Sequence, residues 1–307
     1  MTSNWTSIFG EYTLKKDELT FKGKVQEYDK GQKSAAIANL ICDQYFGGGK
    51  ITADISFKKV NHPTACEIII YFEPQTKNFV SVGLGGAGSM YSLRSFAGNW
   101  TNHSLTGEYS NLKPNKVYKV EVEYKGSSVT LKVDGITVFV SNLPYSLPIS
   151  QTGIWCQSED DISIKNFTVK KETPKAFVVM QFSSPYNELY EDVIKKVCKD
   201  FDLSVIREDE TFGPGQILAD IIKQINESRL IIAEISQANP NVFYEVGYSH
   251  ALNKPTILIA EKTTKLPFDV SPFRTLFYEN TIAGKQKIED GLRKHIGAAL
   301  SDRDWNV

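Results

Sequence analysis

The chain of 307 residues has few cysteines and no long apolar run, and each shortage excludes a class of protein. Its four cysteines lie far apart without any Cys-x-x-Cys or Cys/His spacing, which argues against a zinc site or a redox pair. No stretch approaches the roughly 18 apolar residues of a membrane-spanning helix, and the N-terminus lacks a secretion signal. We therefore expect reduced, mostly buried thiols, no metal site, no membrane partner and a cytoplasmic location.

An excess of charge of one sign is also lacking. Lysine and arginine number 35 against 36 aspartates and glutamates, for a net charge of −1. Without a basic excess, the chain does not favour binding to a nucleic-acid backbone. Its apolar content of 41%, with 14 tyrosines and 17 phenylalanines, is ample for packed cores, and its length favours two domains.

From about residue 11 to 170 the apolar residues alternate with polar ones. In "VYKVEVEY", Tyr118, Val120, Val122 and Tyr124 face one way, as a half-buried antiparallel strand requires. "SVTLKVDGITVFV" continues the alternation and contains Asp134-Gly135, a typical hairpin turn. No helical pattern interrupts these strands. The sequence therefore predicts an N-terminal all-β sandwich, which we place at residues 1–172.

The "VDGITVFV" run and the late "ISIKNFTV" strand resemble the concanavalin-like, laminin-G-like jelly-roll group. That resemblance implies a domain that binds glycans or proteins, and some members of the group hydrolyse glycosides. The segment has no Glu-x-Asp-x-x-Glu cluster of the kind that would support hydrolysis by paired acids. A recognition or scaffolding role is the better interpretation of this half.

After "KKETP" the pattern changes to strands alternating with amphipathic helices. "KAFVVMQF" is a continuous apolar run of the kind found in parallel strands covered on both faces. Further strands are predicted at "LSVIRED", "RLIIAEIS", "KPTILIAE" and "FRTLFYEN", with helical segments between them. The fold class predicted for the chain is therefore multidomain: the jelly roll, followed at residues 173–307 by a flavodoxin-like α/β domain with a doubly wound parallel sheet.

The segment "NPNVFYEVGY" at residues 239–248 places one acid, Glu245, among aromatic and apolar neighbours. Asn239 is suited to cap a helix that has Pro240 in its first position. Helical spacing then puts Asn241, Glu245 and Tyr248 on one face. Ligands of parallel sheets bind beyond the carboxyl ends of the strands, so we expect this helix to begin at a ligand cleft.

"IIAEISQANPNVFYEVGYSHALNKP", with "FVVMQF" before it and "LPFDVSPFRTLFY" after it, resembles the nucleoside 2-deoxyribosyltransferase-like group and its TIR-like relatives. The resemblance implies that Glu245 is the nucleophile at an anomeric carbon, that Asn239 helps to hold the base, and that Asp269 closes the ligand rim. It implies hydrolysis or transfer of the N-glycosidic bond of a nucleoside, nucleotide or NAD, in the setting of bacterial antiviral defence. NAD would then be a substrate and not a cofactor, and self-association into a homo-oligomer is expected.

Several other side chains are candidates for substrate binding. Phe182, Tyr244 and Tyr248 either stack on a base or are buried aromatics, and Asp209 either protonates a leaving base or caps a turn. Two alternative functions stay open: a non-catalytic nucleotide-binding or signalling module, and a glycan-binding protein that acts through its N-terminal domain.

Overall fold

The computed structural model describes residues 4–27, 33–210 and 217–301. Up to Lys171 these residues form two antiparallel sheets that enclose one apolar core. The strands are β1 (Trp5–Phe9), β2 (Tyr12–Lys15), β3 (Glu18–Phe21), β4 (Val25–Glu27), β5 (Lys33–Phe46), β6 (Gly49–Phe57), β7 (Ala65–Phe72), β8 (Phe79–Leu84), β9 (Ser89–Ala97), β10 (Asn99–Glu108), β11 (Val117–Lys125), β12 (Ser128–Val133), β13 (Ile136–Asn142), β14 (Ser150–Ser158) and β15 (Ile162–Lys171).

The two sheets differ in how their outer faces are used. The larger sheet has the order β1-β5-β14-β7-β8-β9-β10, with β4 also paired to β5, and the smaller has the order β13-β12-β11-β6-β15-β3-β2. In the strands of the smaller sheet, buried residues alternate with more exposed ones, as expected for a sheet that has one face in contact with solvent. Strands β7 and β8 of the larger sheet are buried along their whole length, so that both of its faces are covered at its centre.

The predicted alternation and hairpin are confirmed at β11, β12 and β13. Tyr118, Val120, Val122 and Tyr124 are buried, and β12 pairs with β13 through Val133 and Ile136. Asp134 and Gly135 between them both have positive φ, at 52° and 81°. That pair of conformations matches the right-handed twist of the flanking strands.

The second half contains a five-stranded parallel sheet of order β17-β16-β18-β19-β20. Its strands are β16 (Lys175–Val179), β17 (Ser204–Arg207), β18 (Leu230–Glu234), β19 (Thr256–Glu261) and β20 (Thr275–Tyr278). The helices are α1 (Tyr186–Leu189), α2 (Lys195–Lys199), α3 (Ile217–Glu227), α4 (Pro240–Ala251) and α5 (Ile282–Ser301). The segments α2 and α5 contribute to the apolar cluster on one face of this sheet, and α3 and α4 to the cluster on the other.

The fold class predicted from the sequence is wrong, because it sets a flavodoxin-like domain beside the jelly roll as an equal part of the architecture. Fifteen of the strands in the described residues belong to the two antiparallel sheets, and only five short ones are parallel. The first connection of the parallel sheet was expected to be one amphipathic helix, but a π-helical stretch, Tyr190–Ile194, interrupts it between α1 and α2. The molecule is mainly antiparallel β, with a small parallel sheet at its C-terminal side.

The four cysteines are buried and free, as expected from their spacing. No helix in the described part of the chain combines the length and the apolar character needed to cross a membrane.

Candidate functional site

A cavity of about 640 Å³ lies beyond the carboxyl ends of β16 and β17 and beside the start of α4, at the rim where the cleft was predicted. Five of the predicted residues line it: Phe182, Asn239, Asn241, Tyr244 and Glu245. Asn239 caps α4, since its side-chain oxygen accepts a hydrogen bond from the backbone N–H of Asn241 at 3.0 Å. The cap fixes the start of the helix and so places Asn241, Tyr244 and Glu245 in the cavity wall.

Three predicted residues lie outside this cavity. Asp209 accepts two hydrogen bonds of 2.6 Å from Arg207, so its charge is already neutralised. Tyr248 packs against the apolar cluster beneath α4. Asp269 is exposed and is not among the residues of the cavity wall. The helical spacing placed Tyr248 correctly on α4, but the cavity covers only the first half of that helix.

Glu245 has no hydrogen-bond or ion-pair partner for its carboxylate among the described residues. Burial beside apolar lining such as Val178, Met180 and Leu218, and to a smaller extent the nearby charge of Glu208, together raise its pKa to about 7. A carboxyl group with that pKa is part protonated at neutral pH. It can both donate and accept a proton, which is the requirement for an acid–base group.

Glu208 is a residue of this cavity that the sequence interpretation did not select. One of its carboxylate oxygens is buried without a hydrogen-bond partner, and burial raises its pKa, with Asp220 and Asp209 adding to the effect. The sequence "RED" at residues 207–209 already pointed to it, because one arginine is followed by two acids and its guanidinium can neutralise only one of them. Because Arg207 pairs with Asp209, Glu208 is the acid left without a counter-charge.

A second cluster of chemistry-bearing residues lies on the outer face of the larger sheet, away from the main core. At its centre Glu67 on β7 is fully buried and accepts hydrogen bonds from Arg94 Nε and Nη2, both at 2.9 Å, and from Ser81 Oγ at 2.7 Å. Ser92 also donates to this carboxylate. The bidentate ion pair fixes the plane of the Arg94 guanidinium on the sheet.

Aromatic side chains surround that guanidinium. It lies 3.9 Å from the centre of the Trp100 ring and 5.0 Å from that of Trp155. Phe79 and Phe96 pack against Trp100 at centroid distances of 5.4 and 5.3 Å. Trp155 is 5% exposed, whereas Trp100 is 37% exposed. The indole of Trp100 is thus held from behind by a buried cation and by three rings, with its outer part open to solvent.

The strand that carries Trp100 is polar and exposed along most of its length. Asn102 pairs in register with Arg94, and Trp100 with Phe96, so both side chains point to the same side of the sheet. Farther along this face Asn39 is fully buried, and neither atom of its amide group has a hydrogen-bond partner. The sequence interpretation missed this cluster because its members come from five strands and share no local spacing.

No protein-family model and no curated protein matches the sequence. Solved structures that resemble the chain include a carbohydrate binding module from Bacillus subtilis, at 14% identity and a TM-score of 0.46 over 54% of this chain and 95% of that one. A Bacillus licheniformis beta-glucanase matches at 10% identity and a TM-score of 0.38 over 54% and 92% of the two chains. The kappa-carrageenase of Pseudoalteromonas carrageenovora matches at 11% identity and a TM-score of 0.36 over 52% and 86%.

These similarities correct the function predicted from the C-terminal motif. The matched proteins are a carbohydrate binding module and enzymes of glycans, and the matches extend over about half of this chain, the share that the sandwich occupies. The predicted action on a nucleoside, nucleotide or NAD is corrected to this extent: it has no support among these matches, and neither has the TIR-like and deoxyribosyltransferase-like assignment. Capping and helical spacing explain "NPNVFYEVGY" without a nucleoside: Asn239 and Pro240 begin α4, and Val242 and Val246 bury its inner face.

The described residues contain no group of three or more His, Cys, Asp or Glu side chains arranged to hold a metal ion. The two sites differ in chemistry: one is a cavity with two carboxyl groups, Glu245 and Glu208, and the other is an aromatic surface backed by a buried ion pair.

Proposed function

We propose that the protein binds a saccharide on the outer face of its larger sheet, with the Trp100 indole as the stacking surface. The observation that carries the proposal is the exposed ring of Trp100, held rigidly by Arg94 and by Phe79, Phe96 and Trp155. A pyranose ring has a face of weakly positive C–H groups, and the face of an indole carries negative quadrupolar charge. Because Trp100 is already immobilised, its side chain loses little conformational entropy when a ligand stacks on it.

Asn102 supplies the polar half of the proposed site. Its amide lies on the same side of β10 as Trp100 and is exposed. An amide both donates and accepts hydrogen bonds, which suits a sugar hydroxyl that does the same. The buried ion pair of Arg94 and Glu67 serves as the support of the ring and not as a ligand contact, since both side chains are almost completely covered.

Substitution of Trp100 by alanine tests this function. We expect the affinity for a bound oligosaccharide, measured by titration calorimetry against a panel of neutral and acidic glycans, to fall at least about tenfold, because a central stacked aromatic contributes more than about 1.4 kcal/mol to binding. Asn102→Ala should weaken the same ligand by a smaller factor and leaves the aromatic cluster untouched. Phe268→Ala removes a still more exposed aromatic ring from the other half of the chain and should change nothing. If no glycan of the panel binds to the unaltered protein, the proposal is wrong.

We also propose an acid–base role for Glu245 in the cavity of the second half, with a small molecule held between Phe182 and Tyr244 and contacted by Asn241. The support for this second function is the pair of carboxyl groups, Glu245 and Glu208, that share one cavity whose described residues include no cation to neutralise them. In apolar surroundings, one of two such groups keeps its proton at neutral pH and becomes available as an acid.

The Glu208→Gln variant tests the pairing. Removal of a like charge should lower the pKa of Glu245, as followed by NMR titration of the side-chain carboxyl carbon, while burial keeps it above the ordinary value of 4.5. Glu188→Gln, at an exposed carboxyl on α1, is the matched control and should leave the pKa of Glu245 where it is. An unchanged pKa of Glu245 in the Glu208→Gln variant would show that the two groups do not interact.

A further inference from the structure

A second cavity, of about 970 Å³, lies where the sandwich meets the parallel-sheet half. One wall is the segment 144–148, which joins β13 to β14. The other wall comes from the start of β18, the end of α4 and the C-terminal part of α5. This cavity shares no residue with the cavity of Glu245, nor with the aromatic cluster on the outer face of the larger sheet.

Among the described residues, every ionisable group in its wall other than the tyrosine is basic. Arg229, His250, Lys254, Arg274 and His295 line the cavity, and no aspartate or glutamate of the described ranges does. The whole chain is almost electrically balanced, with 35 basic residues against 36 acidic ones. With two arginines, a lysine and no acid among its described residues, the wall carries a positive potential that does not follow from the overall composition.

Arg229 is the unusual member of this group. It is 8% exposed, its Nη1 is buried without a hydrogen-bond partner, and burial lowers its pKa. The other two buried arginines each have a carboxylate: Glu67 for Arg94 and Asp209 for Arg207. A buried guanidinium without a counter-charge among the described residues is costly, so its position in a cavity wall is that of a group awaiting an anionic partner.

Lys254 lies in the same wall, and its ammonium group is already hydrogen-bonded to other residues of the chain. Its Nζ donates to the carbonyl oxygens of Asn226 at 2.7 Å and of Ser228 at 2.9 Å, and it lies 3.4 Å from Ser146 Oγ of the sandwich. Neutral acceptors satisfy its hydrogens without cancelling its charge, and burial lowers its pKa to about 7. Lys254 thus holds the two halves together and adds to the positive potential, while Arg229 keeps a free donor.

We propose that this cavity binds a small organic anion whose carboxylate or phosphate oxygens pair with Arg229. The planar fork of a guanidinium matches both kinds of oxygen pair. The rest of the wall is largely apolar and aromatic, with Leu147, Pro148, Ile257 and Phe273 among its residues, so the body of the ligand is apolar. Because the walls come from both halves of the chain, the bound anion also tightens their contact.

Calorimetric titration with two probes, benzoate and inorganic phosphate, at constant ionic strength tests the site and distinguishes the two head groups. Benzamide is the neutral isostere of benzoate and should not bind. We expect Arg229→Gln to weaken the binding of the better probe at least tenfold, and Arg274→Gln, at the exposed rim, to weaken it two- to fivefold. Arg293→Gln removes an arginine of α5 that lies outside the cavity and should have no effect.

Three results would overturn the proposal. The first is that neither probe binds to the unaltered protein at millimolar concentration. The second is that benzamide binds as well as benzoate. The third is that the Arg229→Gln and Arg274→Gln variants bind the probe with the same affinity as the unaltered protein. Arg229→Gln removes a charge that has no partner among the described residues, so the variant should fold; its melting temperature is the control. Should it nevertheless fail to fold, Arg274→Gln and benzamide still decide the question.

Discussion

Replacement of Arg94 by methionine is expected to lower the free energy of unfolding by about 3–5 kcal/mol. The reason lies in what the substitution leaves behind. Glu67 is fully buried at the centre of the larger sheet, and Arg94 gives it two hydrogen bonds and its only ion pair within the described residues. Without the guanidinium, the carboxylate retains Ser81 and Ser92 but has no counter-charge in an apolar layer.

A double substitution distinguishes the cost of leaving Glu67 without a counter-charge from the cost of losing the packing of the Arg94 side chain. Glu67→Gln combined with Arg94→Met removes both charges and keeps an acceptor for the two serine hydroxyls, so it should recover at least about half of the lost stability. Arg293→Met, at an exposed arginine with several acidic neighbours, is the matched control and should cost less than about 1 kcal/mol. Urea unfolding measures all three. A loss of less than about 1 kcal/mol in Arg94→Met would contradict the burial of an essential ion pair.

Replacement of Glu245 by glutamine is expected to stabilise the protein at pH 8 by roughly 3–4 kcal/mol, and to change little at pH 4.5. The folded state raises the pKa of Glu245 from the ordinary 4.5 to about 7. Between these values the folded chain binds a proton that the unfolded chain has lost, so stability falls as the pH rises through this window. Above pH 7 the full cost of burying the charge is present, at about 1.4 kcal/mol for each unit of pKa shift.

The sign of this effect makes the test decisive. A surface carboxylate gives no such gain, so Glu188→Gln should shift stability by less than about 0.5 kcal/mol at either pH. Urea unfolding at pH 4.5 and pH 8 gives the two differences. If Glu245→Gln is no more stable than the unaltered protein at pH 8, the carboxyl group is solvated or paired, and its acid–base role is lost.

The sandwich was predictable because the sequence of each strand by itself shows the alternation of apolar and polar residues. In β11 and β12 each buried residue alternates with a polar one, and Asp134-Gly135 can adopt the turn that joins the next strand. The start of α4 was predictable for the same reason, since Asn239 and Pro240 fix it locally. Local rules of this kind need no knowledge of which elements meet.

What could not be predicted depends on tertiary contacts. Ile217 and Leu218 fit the buried stripe of α3 by spacing, yet both are exposed and line the cavity of Glu245. Glu67 reads as one polar residue in an apolar strand, and only the sheet brings Arg94 to it across β8. The motif around Glu245 was assigned a substrate by resemblance, and spacing alone could not supply one.

Saccharide binding at Trp100 is tested most directly by the indole N–H resonances of the protein labelled with ¹⁵N-tryptophan. The chain has four tryptophans, and Trp5 packs on Phe167 away from the proposed site. Addition of a bound oligosaccharide should shift the Trp100 signal most, shift that of its neighbour Trp155 less, and leave that of Trp5 in place. A saccharide that binds without moving the Trp100 signal would contradict the account.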